Sequence, residues 1–347
     1  MRTLGRKEKT GKTRRTRGTE KAPKLFPRLI SPPVRLVLPL LLVVPMLLAA
    51  CGGPMPPVDP FHLGEAKDAL GRGNHWFQRG CFAEADRYFE LGLEQARLAD
   101  DVPLIVKALN ARGAALLAGG RLNPAALSLE QALELSDADP ARPEFDSVLG
   151  NLGLLALKAG RPDDAKELWG QAARAAAASG LNPVLYHCNL ARLARSSGDD
   201  RAFREQTALA VAGLASEPAP AESSAADAYS LAALVALADG DDLGAETYLD
   251  LALRLDRKNE NQRGLAQDLD ALAGLQAKSG RPAEAAASLD RAFYLWAALG
   301  ERPSLAATLA RLEALSKETG HPKSVAEYQK IYRSPSSFDP INRQCPY

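Results

Sequence analysis

Seven glycines, Gly80, Gly120, Gly160, Gly198, Gly240, Gly280 and Gly320, recur at steps of 40, 40, 38, 42, 40 and 40 residues. One fixed period over most of a chain excludes folds built around a single central core, because each interval must be the same structural unit. Such units bury their apolar faces only by stacking on their neighbours. Apolar residues at helical spacing flank the rungs. In the third unit, Leu149-Gly-Asn-Leu-Gly-Leu-Leu-Ala-Leu-Lys-Ala runs into Gly160, and Arg-Pro-Asp-Asp-Ala165 with Leu168, Trp169 and Ala172 follows. A left-handed residue is often needed where a helix ends, and glycine adopts that conformation cheaply. Pro162 comes two residues later, where a new helix begins and a missing N–H matters least. Pro124, Pro282 and Pro322 fall at or near the same point, and Pro103, Pro143, Pro183 and Pro303 keep phase at the start of each first helix. The pattern predicts an all-α chain of about seven helical hairpins of ~40 residues.

With each rung numbered position 15 of its unit, small residues recur at positions 8, 20 and 27, with a bulky one at 24. The first unit has Gly73, Ala85, Phe89 and Gly92; the second Gly113, Ala125, Leu129 and Ala132; the third Gly153, Ala165, Trp169 and Ala172. The fifth has Ala233, Ala245, Leu249 and Ala252, and the sixth Ala273, Ala285, Leu289 and Ala292. The fourth departs with Phe203 and Thr207, and the seventh with Glu313, Val325 and Gln329, as suits a terminal capping hairpin. This pattern resembles the tetratricopeptide repeat family over residues 63–333. The resemblance implies an αα-hairpin repeat solenoid wound as a right-handed superhelix. Small residues would let paired helices approach, and the residue at position 24 would fill the gap between hairpins. The period exceeds the usual ~34 residues, implying helices longer by about three residues, close to one turn.

By the same resemblance, first helices line a concave groove through positions 2, 5, 6, 9 and 12. In units one to four these include Lys67, Asn74, Phe77, Lys107, Asn110, Leu117, Asn151, Leu154, Asn189, Arg192 and Arg195. The candidate protein-binding residues are Asn74, Lys107, Asn110, Asn151, Asn189, Arg192 and Arg195. Asn151 and Asn189 occupy position 6, where relatives use asparagine to bind a peptide backbone; the amide donates and accepts at once. Arg192 and Arg195 are three residues apart, hence on one helical face, and are suited to grip a carboxylate. The alternative is that all are simply solvated. Units five and six offer mostly apolar or small residues, such as Leu231, Leu234 and Leu237, which line the groove or pack the next helix.

A second feature precedes the repeats. Leu36 to Ala50 is a 15-residue apolar run ending in Leu48-Ala49-Ala50-Cys51-Gly52. It falls short of the ~20 residues of a membrane span and reads as a signal peptide over residues 34–50. Leu-Ala-Ala-Cys resembles the bacterial lipobox, which implies lipidation of Cys51; Gly52 next to it suggests sorting to the outer membrane. Residues 51–62 would then be a Pro-rich tether. Residues 1–33 are a basic leader or lie upstream of a true start at Val34. Gly5 and Gly11-Lys12-Thr13 miss the phosphate-binding loop, having five residues between the glycines where four are required.

Removing the leader changes the charge. Residues 1–50 hold 12 Lys/Arg and 2 Asp/Glu, leaving 31 basic and 40 acidic residues, a net charge near −9. That argues against nucleic acid, which needs a basic surface. Cys81, Cys188 and Cys345 form an odd set; Cys81 reads as a buried small residue, and Cys345, in an irregular tail over residues 334–347, is available to pair with another chain. His62, His75, His187 and His321 are scattered, so no enzyme, metal, cofactor or small-molecule substrate is expected. Asp163-Asp164, Asp199-Asp200 and Asp241-Asp242 read as charges favoured at helix N-termini. Ser216 to Ser224 reads as a longer inter-repeat loop. The expected function is an outer-membrane-anchored periplasmic scaffold binding protein partners in envelope complex assembly. The alternative, a peptidoglycan- or polysaccharide-binding module, calls for several exposed groove aromatics.

Overall fold

A computed structural model describes residues 61–137, 143–319 and 325–334. The chain divides into Met1–Val58 and Asp59–Tyr347. The segment expected as a signal peptide, Cys51, most of the expected tether, Gly320 and most of the C-terminal tail lie outside the described residues; Phe61 and His62, at the end of the expected tether, already belong to the first helix. Fourteen described helices run in sequence: α1 Phe61–Gln78, α2 Phe82–Leu98, α3 Val102–Ala118, α4 Leu122–Asp137, α5 Phe145–Lys158, α6 Pro162–Ala178, α7 Val184–Ser196, α8 Asp200–Gly213, α9 Glu222–Asp239, α10 Asp242–Lys258, α11 Gln262–Lys278, α12 Pro282–Leu299, α13 Arg302–Thr319 and α14 Val325–Arg333. They pair as seven hairpins, odd-numbered first helices with even-numbered second helices, and each hairpin packs on the next. This is the αα-hairpin solenoid of tetratricopeptide-like type.

The glycine ladder sets the hairpin turns. Gly120, at φ +74°, follows α3. Its N–H donates to Leu117 C=O at 3.1 Å, and the N–H of Arg121 reaches Leu116 C=O at 2.8 Å. This closes the helix with two otherwise orphaned carbonyls satisfied. Gly80, Gly160, Gly198, Gly240 and Gly280 repeat the geometry at φ between +71° and +76°. Four of the turns between hairpins obey the same rule, which the glycine ladder does not reveal. Gly180 and Gly300 serve there at φ +69°, but Asp100 and Glu260 hold the equivalent position at φ +53°. A side chain in that region costs about 1 kcal/mol. Asp100→Gly and Glu260→Gly are each expected to stabilise the fold by about that amount, read as a higher urea midpoint; an unchanged midpoint would contradict the strain.

Acidic residues cap several helices. The side chains of Asp101, Asp199 and Asp241 accept from the N–H of Leu104, Ala202 and Gly244 at 2.9, 3.0 and 2.9 Å. Asp163, Asp164, Asp200 and Asp242 stand in first turns, where the helix dipole favours them.

The core is a chain of clusters, each shared by adjacent hairpins. Position 24 also packs within its own hairpin, besides belonging to clusters that span adjacent hairpins. A Cβ on Gly73 would lie 2.4 Å from the Phe89 ring, one on Gly113 2.6 Å from Leu129, and one on Gly153 2.5 Å from Trp169 Nε1. The bulky residue thus fills space above the small residue of its own hairpin. In the seventh hairpin, Tyr328 is buried against Phe293, and Gln329 donates to Glu313 at 2.9 Å. The loop expected over Ser216–Ser224 ends at Ala221, because α9 begins at Glu222, and it interrupts the spacing but not the packing. One cluster joins Val184, Cys188 and Phe203 to Ala228 and Leu231 across it, and Asn182 Nδ2 donates to Gly213 C=O and Pro218 C=O, both at 2.9 Å. Cys81 is buried, as expected, but is disulfide-bonded rather than a plain apolar residue; its partner lies outside the described residues. Cys188 is free and buried.

Candidate functional site: the inner face

First helices touch each other along the array, α1 with α3, α3 with α5, α7 with α9 and α9 with α11. Among the described residues, second helices make no comparable contacts with one another. First helices therefore form the closely spaced inner face.

The candidate residues on this face separate into engaged and free groups. Asn74 and Lys107 are exposed. Asn110 is only 5% exposed. Its Nδ2 donates to Ser147 Oγ at 2.8 Å and Glu144 Oε2 at 3.2 Å, while its Oδ1 accepts from Asn151 Nδ2 at 2.7 Å. Both amide groups of Asn110 are thus spent joining α3 to α5, which corrects its assignment as a ligand contact. Asn151 is half-buried and uses its amide N–H₂ in the same network. Leu117 is fully buried core, not groove, and Phe77 packs edge-on to Phe82.

Asn189, Arg192 and Arg195 share one face of α7. Arg192 does not wait for a ligand carboxylate: its Nη2 lies 2.5 Å from Asp227 Oδ1 on α9. Burial works to lower the Arg192 pKa, but the charge and hydrogen bond of Asp227 outweigh it and raise it. Asn189 is half-buried and Arg195 exposed; among the described residues neither has a side-chain partner.

Beyond α7 the inner face deepens into a cleft of about 640 Å³. Arg192, Arg195 and Ser196 of α7 form one wall, Ser230, Leu231 and Leu234 of α9 the middle, and Gln267, Asp268, Asp270 and Ala271 of α11 the other wall; Trp296 and Arg311 close it. Asp270 is fully engaged. It accepts from Trp296 Nε1 at 2.7 Å, Thr308 Oγ1 at 3.1 Å and Arg311 Nη1 at 3.3 Å. Trp296 is 3% exposed and offers no face for stacking.

Asp268 is different. It is 3% exposed, and its Oδ2 is buried with no hydrogen-bond partner among the described residues. Burial first, then the charges of Asp256 and Asp227, push its carboxyl up to about 7, against opposing effects of Ser230 and Arg192. Asp256, 1% exposed on α10, is pushed up to about 6 by burial and then by Asp227, despite its hydrogen bond from Asn261. Asp268 thus feels two further carboxylates, Asp227 and Asp256, that lie outside the cleft lining, opposed by the guanidinium of Arg192, while Arg195 and Arg311 also line the cleft. Burial also pushes the Cys188 thiol up to about 12, so it is not a thiolate nucleophile.

Sequence reasoning missed these acidic residues. Asp227 stands at position 2 of unit five and Asp270 at position 5 of unit six, both groove positions in the register above. Applying that register to units five and six as to the first four would have found Asp227 and Asp270, but not Asp256, which lies on a second helix. Asp268 stands at position 3, a core position.

Among the described residues, no group of three His, Cys, Asp or Glu is placed to hold a metal, and no helix is long and apolar enough to cross a membrane. No protein-family model matches the sequence, and no curated protein matches it. Solved structures do. The APC/C hetero-tetramer Cut9-Hcn1 aligns at 14% identity over 87% of this chain and 57% of that chain, with a TM-score of 0.52. Rap protein complexed with Competence and Sporulation Factor aligns at 14% identity over 78% and 67% of the two chains, TM-score 0.50. A tetratricopeptide repeat protein from Parabacteroides merdae aligns at 14% identity over 78% and 100%, TM-score 0.42. At these identities the likeness is one of fold.

Proposed function

We propose that the solenoid is a protein-binding scaffold whose inner face holds extended segments of partner proteins. The observation that carries this reading is the face of first helices on which Lys107, Asn189 and Arg195 have no side-chain partner among the described residues, leading into the cleft between α7 and α11. Unspent donors beside small apolar patches suit a peptide backbone and its acidic side chains. The structure of the Rap protein, holding its Competence and Sporulation Factor, offers a precedent in a similar fold. A carbohydrate partner is the weaker reading, since Phe77 is packed on Phe82 and Trp296 is buried.

In its finer form the proposal places the scaffold in the bacterial envelope. Lipid on Cys51 would tether it to the outer membrane on the periplasmic side, as an adaptor in assembling pilus, secretion or outer-membrane complexes. The Leu48-Ala49-Ala50-Cys51 sequence behind its apolar run supports the anchor. Several acyl chains on one residue bind stably, at about 0.8 kcal/mol per buried CH₂.

Two experiments test the two levels. Asn189→Ala with Arg195→Glu changes only side chains without partners, so the unfolding midpoint should stay put while crosslinked partner recovery falls about tenfold; unchanged recovery would exclude the inner face as the site. Cys51→Ala should move the protein from the membrane to the soluble fraction, and persistent membrane association would defeat the anchor.

A further inference from the structure

Position 3 of each first helix faces the preceding hairpin. Units two to five place Ala108, Val148, Tyr186 and Ala228 there, and unit seven Thr308, all at most 4% exposed. In the first unit, where no repeat precedes, Asp68 is exposed. Only the sixth unit puts a buried carboxylate, Asp268, at this position. Burying a carboxylate with one oxygen left unpartnered is costly, so a core position occupied by one marks a function that outweighs stability. Asp268 also lines the cleft, and its buried Oδ2 has no hydrogen-bond partner among the described residues. Around it stand Asp227 and Ser230 of α9, Asp256 of α10, Arg192 and Arg195 of α7, Arg311 of α13, and Asp270 on its own helix. Arg192 is held by Asp227 and Arg311 by Asp270, so neither is left to neutralise Asp268. Arg195, the third guanidinium of the lining, is exposed, and no guanidinium is paired with Asp268 among the described residues.

We propose that this cleft receives a lysine or arginine side chain from an extended partner segment, its cationic head lodging beside Asp268 while an acidic residue of the same segment meets Arg195. The inference rests on the scaffold reading and adds the partner's chemistry: a basic residue flanked by an acidic one. Leu231 and Leu234 lie in the middle of the cleft, between the α7 and α11 walls, and supply an apolar bed for the aliphatic stem of the basic side chain. The raised Asp268 pKa agrees with this, because an arriving cation would draw the carboxyl into its ionised form. No atom is transferred; the ligand exchanges a water-solvated cation for a charge-assisted hydrogen bond.

The test is selection of a random ten-residue displayed peptide library on the purified full-length chain, followed by calorimetry with the selected peptides. The expected result is enrichment of a lysine or arginine at one position. Replacing it by norleucine should weaken binding about tenfold or more, consistent with loss of a hydrogen bond to a charged group. Binding of the basic peptide should strengthen between pH 5 and pH 8, and both effects should vanish in Asp268→Ala, which matches the residue of other units. Arg195→Ala should instead remove the preference for an acidic residue. Selected peptides that protect α7, α9 and α11 from hydrogen exchange but show no basic preference would overturn this inference and leave the scaffold reading standing. Equal binding by Asp268→Ala would overturn it as well. Recovery of no peptide at all would count against both.

Discussion

Trp169→Ala is expected to cost about 3–5 kcal/mol, the range for removing a buried aromatic side chain. Trp169 is 2% exposed, and its Nε1 donates to Gly150 C=O at 2.9 Å, so the indole is fixed by packing and by a hydrogen bond. It lies over Gly153, where a Cβ would stand 2.5 Å from Nε1 and 2.7 Å from Cδ1. Gly153→Ala should therefore cost about 1–3 kcal/mol in the native background through overpacking. In the Trp169→Ala background the collision is gone, and the same change should be neutral or favourable, since alanine gains about 1 kcal/mol over glycine within a helix. The double-mutant cycle, measured by urea unfolding, should show strong coupling. Additive effects would mean that the pair does not form one packing unit.

Asp268→Ala should have the opposite sign. The folded-state pKa, about 7, lies above the ordinary carboxylate value, so the native state holds a proton that the unfolded chain releases near pH 4. The contribution of this group is therefore fully present below pH 4 and lost as pH rises through 7. At pH 8 the native chain carries an ionised, buried carboxylate. Removing it should stabilise the fold by about 2–4 kcal/mol, from a displacement near three pKa units at 1.36 kcal/mol each. The advantage of the variant should shrink steadily towards pH 4. Asp256, pushed up to about 6, titrates in both proteins and largely cancels in the comparison. Thermal unfolding at pH 5 and pH 8 decides the matter; a gap that does not widen with pH would show that Asp268 is not ionised at a cost. A stabilising substitution beside a binding cleft is the familiar exchange of stability for function.

The architecture was legible because it is local and repeated. Each hairpin needs a left-handed residue at its turn, and glycine supplies it at one spacing. Small residues at position 8 and bulky ones at 24 were visible too, although their partnership within a hairpin was not, because spacing along a chain does not say which surface a side chain meets. The turns between hairpins were half hidden: Asp100 and Glu260 adopt the same geometry as Gly180 and Gly300 without the sequence signal. The groove was legible as a set of register positions but not as a set of free groups. Asn110 and Arg192 sit where a ligand contact is expected, yet neighbouring repeats consume them, through Ser147 and Glu144 in one case and Asp227 in the other.

The sequence by itself determined the helical hairpin, its number and its turn chemistry, since these follow from backbone preferences within some forty residues. Only the tertiary structure decided which inner-face side chains remain available. Partners lie 34 to 41 residues apart for Asn110 with Glu144, Ser147 and Asn151, and a buried carboxylate acquires its character from charges on three other helices. Hydrogen bonding and desolvation depend on distance in space, and stacking alone sets those distances.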